Sequence, residues 1–398
     1  LGPETSVLVR EQVMLSAHTT LRLGGPAARF VAAGTEDQLV AAVRAADADR
    51  QPVLVLGGGS NLVVSDAGFA GTVVRVASRG IRVDREADAD LLTVAAGEDW
   101  DSLVQRCVAD GLAGVECLSG IPGLVGATPI QNVGAYGQEV AEIVVAVRAY
   151  DRQRGEVVRL SSAECEFGYR TSAFKRGGAG GSRVGSGGAA GSGGSAAAGG
   201  LGAAGAAWVG PSGRFVVLAV SFRLPRSRLS APVRYAELAR VLGVREGDRV
   251  PLSAARTAVL ALRRSKGMVL DPADPDTRNA GSFFTNPVLG PAEFAALERR
   301  AAGRSDPSAG RIRVPRFDAG DGCVKVPAAW LIEQAGFSRG YPGGPGARIS
   351  AKHTLALINQ GEATTAGLLR LAREIRAGVQ AAFGIELVPE PVLVGEAL

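Results

Sequence analysis

Histidine is almost missing from this 398-residue chain, with His18 and His353 the two present. Cysteine is nearly as scarce: Cys107, Cys117, Cys165 and Cys323 lie scattered, without a C-x-x-C pair. A zinc site needs such ligands at short regular spacing, and a disulfide framework needs them dense. Neither is expected, nor any other metal centre, and four isolated thiols fit a reducing compartment. Lysine is rare as well, since Lys175, Lys266, Lys325 and Lys352 stand among 44 basic residues, the others being arginine. No apolar run reaches the length of a membrane span. The N-terminal LGPETSVLVREQ lacks a signal peptide's basic-then-apolar pattern. A cytoplasmic protein without a membrane span is expected. No block of five like charges occurs, although the net charge is +5 and the sequence pI near 9.3. Interspersed charge of this kind argues against a nucleic-acid stripe and for small anionic ligands. No obligate protein partner is legible.

The length admits two or three domains and an ample core. DQLVAAVRAAD has helical periodicity, whereas PVLVL, GTVVRV and LLTVAAG read as strands. DWDSLVQRCVADGL predicts a helix capped by Asp99 or Asp101 and stopped at Gly111. Strand patterns follow in IVVAVRAYD, GEVVRLS and FVVLAVSFRL, with the FGYRTSAFK motif between them. Beyond Pro225 helical patterns dominate, from YAELARVLG to TTAGLLRLAREIRAGVQAAFG, with short strands expected in GSFFTNPV, HTLALIN and IELVPEPVLVG. Strands early and helices late predict an α+β chain. Residues 177–207 are Gly, Ala and Ser apart from Arg183, Val184 and Leu201. Such a stretch buries too little apolar surface to offset its ordering entropy, so a floppy surface insertion is expected. It is either a lid or a tolerated loop expansion, and expansion is the simpler reading.

The run VLVLGGGSNLVVSD resembles a phosphate loop but fails two tests. Gly57, Gly59 and Leu62 occupy the G-x-G-x-x-G places, so the third glycine is absent, and a strand-like LVVSD follows where a helix should. No G-x-x-x-x-G-K-[ST] exists either. Two readings stay open: a tight turn between strands, or a nest of converging backbone N–H groups with Ser60 and Asn61 as side-chain donors. The second glycine-rich segment favours the nest. Gly120, Pro122, Gly123, Gly126, Gly134 and Gly137 are interleaved with Thr128, Gln131, Asn132 and Tyr136. Dense glycine lets backbone pack against a flat or charged ligand, and together the two loops point to a large phosphate-bearing cofactor.

LGGGSN, IPGLVGATPIQNVGAYG, FGYRTSAFK, NAGSFFTNPV and the terminal PEP, in that order from about His18 to Gly395, resemble the UDP-N-acetylenolpyruvoylglucosamine reductase family. That resemblance implies the two-part FAD-binding fold of the vanillyl-alcohol-oxidase-like (PCMH-type) flavoenzymes, with an α/β substrate-binding domain. The implied division is 10–75 with the terminal strand 386–398, 76–267 including the insertion, and 268–385. FAD would be bound non-covalently, NADPH would supply hydride through the shared substrate site, and a UDP-sugar would be the partner. PVRYAELARVLG and LRRSKGMVLDP resemble the segment found in one type of the family, whose tyrosine folds over substrate.

Residue by residue, the resemblance implies that Leu56, Gly57, Gly58, Gly59, Ser60 and Asn61 hold the cofactor. Pro122, Gly123, Gly126, Ala127, Thr128, Gln131, Asn132 and Gly134 would do so from the second loop. Tyr235, Lys266 and Asn286 match the diphosphate end. Ser282 matches a proton donor, Arg170 the clamp on the substrate carboxylate, and Glu390, in its Pro-Glu context, the catalytic carboxylate. Without the resemblance, Ser282 reads as a turn serine, Arg170 as a strand arginine and Glu390 as a solvated strand end. Lys266 beside Arg263 and Arg264 reads equally as an anion site or a solvated helix end. Two alternatives remain for the whole chain: a flavin oxidase or dehydrogenase of the same fold, and a nucleotide-sugar binder without turnover.

Overall fold

The computed structural model describes residues 8–176, 213–304 and 313–398. The Gly/Ala/Ser stretch 177–207 and the first seven residues, on which two of the expectations fall, lie outside the described residues.

Two sheets carry the first half of the chain. In the four-stranded sheet Val9–Met14 lies antiparallel to Pro26–Ala33, which runs parallel to Phe69–Val76, itself parallel to Val53–Leu56. Helix Glu36–Ala48 makes the parallel crossover, capped by Thr35, and buries Leu39 and Val43 against the sheet. The five-stranded sheet is antiparallel throughout, ordered Glu156–Ser161, Val144–Asp151, Phe215–Pro225, Ala89–Ala95 and Ile81–Arg85. One core of Val, Leu and Trp100 fills the space between the two sheets. Period-2 alternation is legible where a strand has one buried face. Val9–Met14 is an exposed edge with one partly buried position, so its pattern carried no strand signal.

Helix Trp100–Ala109 resolves the choice of cap. Asp99 Oδ1 accepts the Ser102 N–H at 2.8 Å, whereas Asp101 reaches away from its own helix. It takes a bidentate pair from Arg256, at 2.6 and 2.9 Å, and the Gly120 N–H at 2.6 Å. Burial alone would raise the Asp101 carboxyl. The bonds from Arg256 and Gly120 outweigh burial and hold it below the ordinary carboxylate range.

Helices Ala236–Leu242 and Leu252–Ser265 pack on each other through Leu238 and Val259. Beyond them the chain forms a helical body around Thr365–Phe383, with Pro291–Gly303 and Ala328–Gln334 packed on it through Leu297, Leu331, Leu368 and Ile375. The chain then returns: Val392–Val394 pairs in parallel with Leu62–Val64, the stretch just after the glycine loop. IELVPEPVLVG is therefore a strand only in its last three paired positions. GSFFTNPV is mostly loop, tied by one bridge between Phe284 and Pro389, and its last residue opens the two-residue strand Val288–Leu289.

Asp99→Ala should lower stability by about 1 kcal/mol, the usual loss of a helix cap. Asp101→Ala should cost more, because Arg256 is left partly buried and unpaired. Thermal unfolding of both variants tests the order, and equal losses would contradict it. Because the folded pKa of Asp101 is depressed, its contribution is present above the unfolded carboxylate value and is lost as pH falls through the folded one.

Candidate functional site

The sheets, the glycine loops, the helical body and the returning C-terminus enclose one cavity of about 1170 Å³. Single-ligand pockets span roughly 300–1,000 Å³, so there is room for a cofactor and a substrate together.

One wall is made of glycine. Gly58 lies so close to Gly123 that a Cβ on Gly58 would meet the Gly123 Cα at 2.7 Å. The Ser60 hydroxyl donates to the Pro122 carbonyl at 2.9 Å, and Asn61 Nδ2 to Gln131 Oε1 at 3.2 Å and the Glu390 carbonyl at 3.3 Å. These two side chains therefore knit the loops together, which departs from the expectation that they donate to a ligand. The anion-binding capacity is in the backbone. Among the described residues, none of the N–H groups from Gly57 to Ser60 finds a protein acceptor. Such a row of free amides is a nest for phosphate oxygens. With Ile121, Leu124 and Val217 as apolar lining, the donor set fits a flavin dinucleotide.

The opposite wall carries charge. FGYR is a turn and not a strand: Gly168 and Thr171 exchange both backbone hydrogen bonds, and Arg170 sits at φ +52°. That left-handed conformation swings the guanidinium into the cavity, where Nη2 donates to the Gly134 carbonyl at 3.1 Å. Arg170 Nε lies 3.1 Å from Glu390 Oε1. The contact is an ion pair without hydrogen-bond alignment, so the buried Nε–H has no acceptor. Burial pushes the Glu390 carboxyl above its ordinary range, and the charges of Arg170 and Lys175 oppose that rise. Ser282 lines the same cavity, and the carbonyl of its neighbour Phe283 accepts the Glu390 N–H at 2.9 Å. Arg170, Ser282 and Glu390, 220 residues apart at the extremes, thus face one space.

At the far end Tyr235 meets Tyr136 edge-on with ring centroids 5.4 Å apart, and Lys266 lies 5.8 Å from the Tyr136 ring. Lys266 is paired with Glu237 at 2.6 Å. Arg263 is deeply buried beside them, its Nε also lacking an acceptor. His353 completes this end; burial first, then the charges of Lys266 and Arg339, lower it to about 4, which keeps the imidazole neutral.

Residues 27–161 match the model of an FAD binding domain, and residues 272–394 that of the UDP-N-acetylenolpyruvoylglucosamine reductase C-terminal domain. The UDP-N-acetylenolpyruvoylglucosamine reductase of Thermobifida fusca (strain YX) is 54% identical over 97% of this chain and 98% of its own. The chain belongs to the UDP-N-acetylenolpyruvoylglucosamine reductase family. The reductase of that name from Streptomyces coelicolor (strain ATCC BAA-471 / A3(2) / M145) is also 54% identical, over 96% of this chain and 90% of its own. The crystal structure of UDP-N-acetylenolpyruvylglucosamine reductase from Thermus caldophilus is similar in fold. It aligns with a TM-score of 0.59 at 23% identity, covering 98% of this chain and 100% of that one. The fold is the α+β, two-part FAD-binding architecture expected from the motifs. No helix among the described residues is long and apolar enough to cross a membrane.

Within this reductase family member, most of the residues expected at the cofactor and substrate line the cavity, and three do not. Leu56 points into the core of the four-stranded sheet. Asn132 is 1% exposed and its amide is fully engaged, donating to Glu139 Oε2 and the Gly168 carbonyl and accepting from Ala141. It braces the Arg170 turn from behind. Asn286 Oδ1 accepts the Ala328 N–H at 2.9 Å, starting the helix there. Sequence reasoning passed over Lys175, Tyr136 and His353 as site residues. The rarity of lysine and histidine was the available signal for two of them.

Gly59→Ala should abolish cofactor retention. Its φ is +64°, and a Cβ would come within 2.0 Å of the His18 carbonyl, so the loop must move. Absorbance near ~450 nm after gel filtration measures this, using flavin as its own chromophore. A variant that keeps its full flavin complement would show that the loop does not hold the cofactor.

Proposed function

We propose that this protein reduces the enolpyruvyl ether of UDP-N-acetylglucosamine to the lactyl ether of UDP-N-acetylmuramate, a peptidoglycan precursor. The reading places it in the cytoplasm, with FAD bound non-covalently and NADPH as the hydride source. The observation that carries it is the convergence of Arg170, Ser282 and Glu390 on the cavity that the free glycine amides also line. When bound, FAD supplies, at the expense of NADPH, the hydride that reaches the terminal alkene carbon. In this reading 10–75 with 386–398, and 76–267, hold the cofactor, and 268–385 the sugar nucleotide.

The other roles fall to side chains of this chain. The Arg170 fork grips the substrate carboxylate, and its unpartnered Nε–H is a donor ready for one of the oxygens. Negative charge builds on that carboxylate and its neighbouring carbon as the alkene is reduced, and a fixed cation in a dry site stabilises it most at that moment. Glu390, whose carboxyl burial pushes toward its neutral form against the charges of Arg170 and Lys175, donates a hydrogen bond to the same developing charge from the other side whenever it carries its proton. Ser282 Oγ–H delivers a proton to the carbon beside the carboxylate. A hydroxyl is a weak acid, so this works only against a strongly basic carbanion. Tyr235 and Lys266 take the diphosphate, while Asn286 serves by holding the helix at Ala328.

The test is NADPH oxidation by the purified holoenzyme with and without UDP-N-acetylglucosamine enolpyruvate. Substrate-dependent loss of NADPH is the expected result. Turnover of alcohols with oxygen, or a protein whose flavin NADPH cannot reduce, would overturn the reading. Ser282→Ala should keep its flavin and its reduction by NADPH, but lose reduction of the enolpyruvyl group by roughly 10²-fold or more. Arg170→Lys should fail comparably, because an ammonium cannot reproduce the planar fork. Normal steady-state rates in either variant would remove that residue from its role.

A further inference from the structure

The short helix Ala173–Arg176 follows directly on the Arg170 turn and delivers Lys175 to the cavity. The Lys175 ammonium donates to the main-chain carbonyl of Arg170 at 3.1 Å, closing a ring around the turn. That turn needs closing. A non-glycine residue in the left-handed region, as Arg170 is, is strained and persists only where its surroundings hold it. The paired backbone bonds of Gly168 and Thr171 hold it from one side and Lys175 from the other.

Charge gives Lys175 a second part. The titratable groups acting on Glu390 are Arg170 and Lys175, and the Tyr169 phenol feels both Arg170 and Glu390. This wall of the cavity carries two cations, Arg170 and Lys175, beside one carboxyl that burial pushes toward its neutral form. A substrate carboxylate brings one negative charge, and its reduced, unprotonated form brings two. Arg170 alone would leave one of those charges without a counterpart in a water-poor space, which is costly.

We propose that Lys175 is a positioning residue for the reduction, one that locks the Arg170 turn through its carbonyl and supplies the second positive charge facing Glu390 and the substrate carboxylate. This rests on the reading of Arg170 as the clamp and Glu390 as the acid. Burial pulls Lys175 below the ordinary lysine range, while Glu390 draws it back up, and Lys175 in turn draws Glu390 down. Removing the ammonium lets Glu390 keep its proton to higher pH.

The experiment compares substrate-dependent NADPH oxidation across pH for the holoenzymes of Lys175→Met, Lys175→Gln and Glu390→Gln, with flavin content and melting temperature checked. Lys175→Met should lose kcat on the order of 10²-fold, the scale of a displaced clamp. Its basic limb, where Glu390 deprotonates, should move to higher pH. Lys175→Gln keeps a donor for the carbonyl but not the charge, so it should move the limb equally with a smaller loss of kcat. It also decides the charge role if the Met variant does not fold. Normal kcat and an unmoved limb in both lysine variants would overturn the inference, and so would slow variants whose limb stays in place, since a mere prop predicts that. Should Glu390→Gln retain the basic limb, the assignment of Glu390 as the acid fails instead. The kcat of Lys175→Met then still decides whether Lys175 holds the clamp.

Discussion

The structure depends on one return of the chain. The segment from Val388 to Val394 lies between the glycine loop and the Ser282 loop and hydrogen-bonds to both. Glu390 N–H bonds to Phe283, Thr285 N–H to Val388, and Val392 N–H to Asn61, while the Asn61 side chain reaches the Glu390 carbonyl. Remove that segment and the glycine loop, the Ser282 loop and the Glu390 carboxyl lose their common frame. The parallel pairing of Val392–Val394 with Leu62–Val64 fixes its register, so a slip of one residue would turn Glu390 away from Arg170.

Around this frame the wall that holds Arg170 is under backbone strain and electrostatic tension together. Asn132, Tyr136 and Arg170 all have left-handed backbones although none is glycine. Each is held by contacts from elsewhere: Asn132 by Glu139, Gly168 and Ala141, Tyr136 by the ring of Tyr235, and Arg170 by Lys175. Strain of this kind concentrates where side chains must be aimed, and its cost is met by the packed sheets behind. The five-stranded antiparallel sheet and its Trp100-centred core supply that rigid backing.

Much of this was legible before any coordinates. The glycine loop, the failure of the dinucleotide fingerprint and the amphipathic helices depend on local pattern, and the structure has them where the pattern puts them. Most residues singled out by the motifs line the cavity, whereas their hydrogen-bond partners were not legible. Ser60 and Asn61 look like ligand donors in LGGGSN, yet both are committed to the second loop, some sixty to seventy residues away, and Asn61 also to Glu390. Asn132 and Asn286 have the right chemistry but lie outside the cavity lining, where they brace neighbouring segments. Asp99 and Asp101 were indistinguishable as caps until Arg256 was seen to claim one of them.

The sequence by itself determined the elements, the flexible glycine needed at the loops and the inventory of charged side chains, because helix period, strand alternation and residue chemistry act over a few neighbours. Which donors remain free for a ligand, which carboxyl burial pushes upward and which lysine lies beside it were decided only by the tertiary structure. Hydrogen-bond capacity and desolvation are set by groups distant along the chain, and no local pattern records who those neighbours will be.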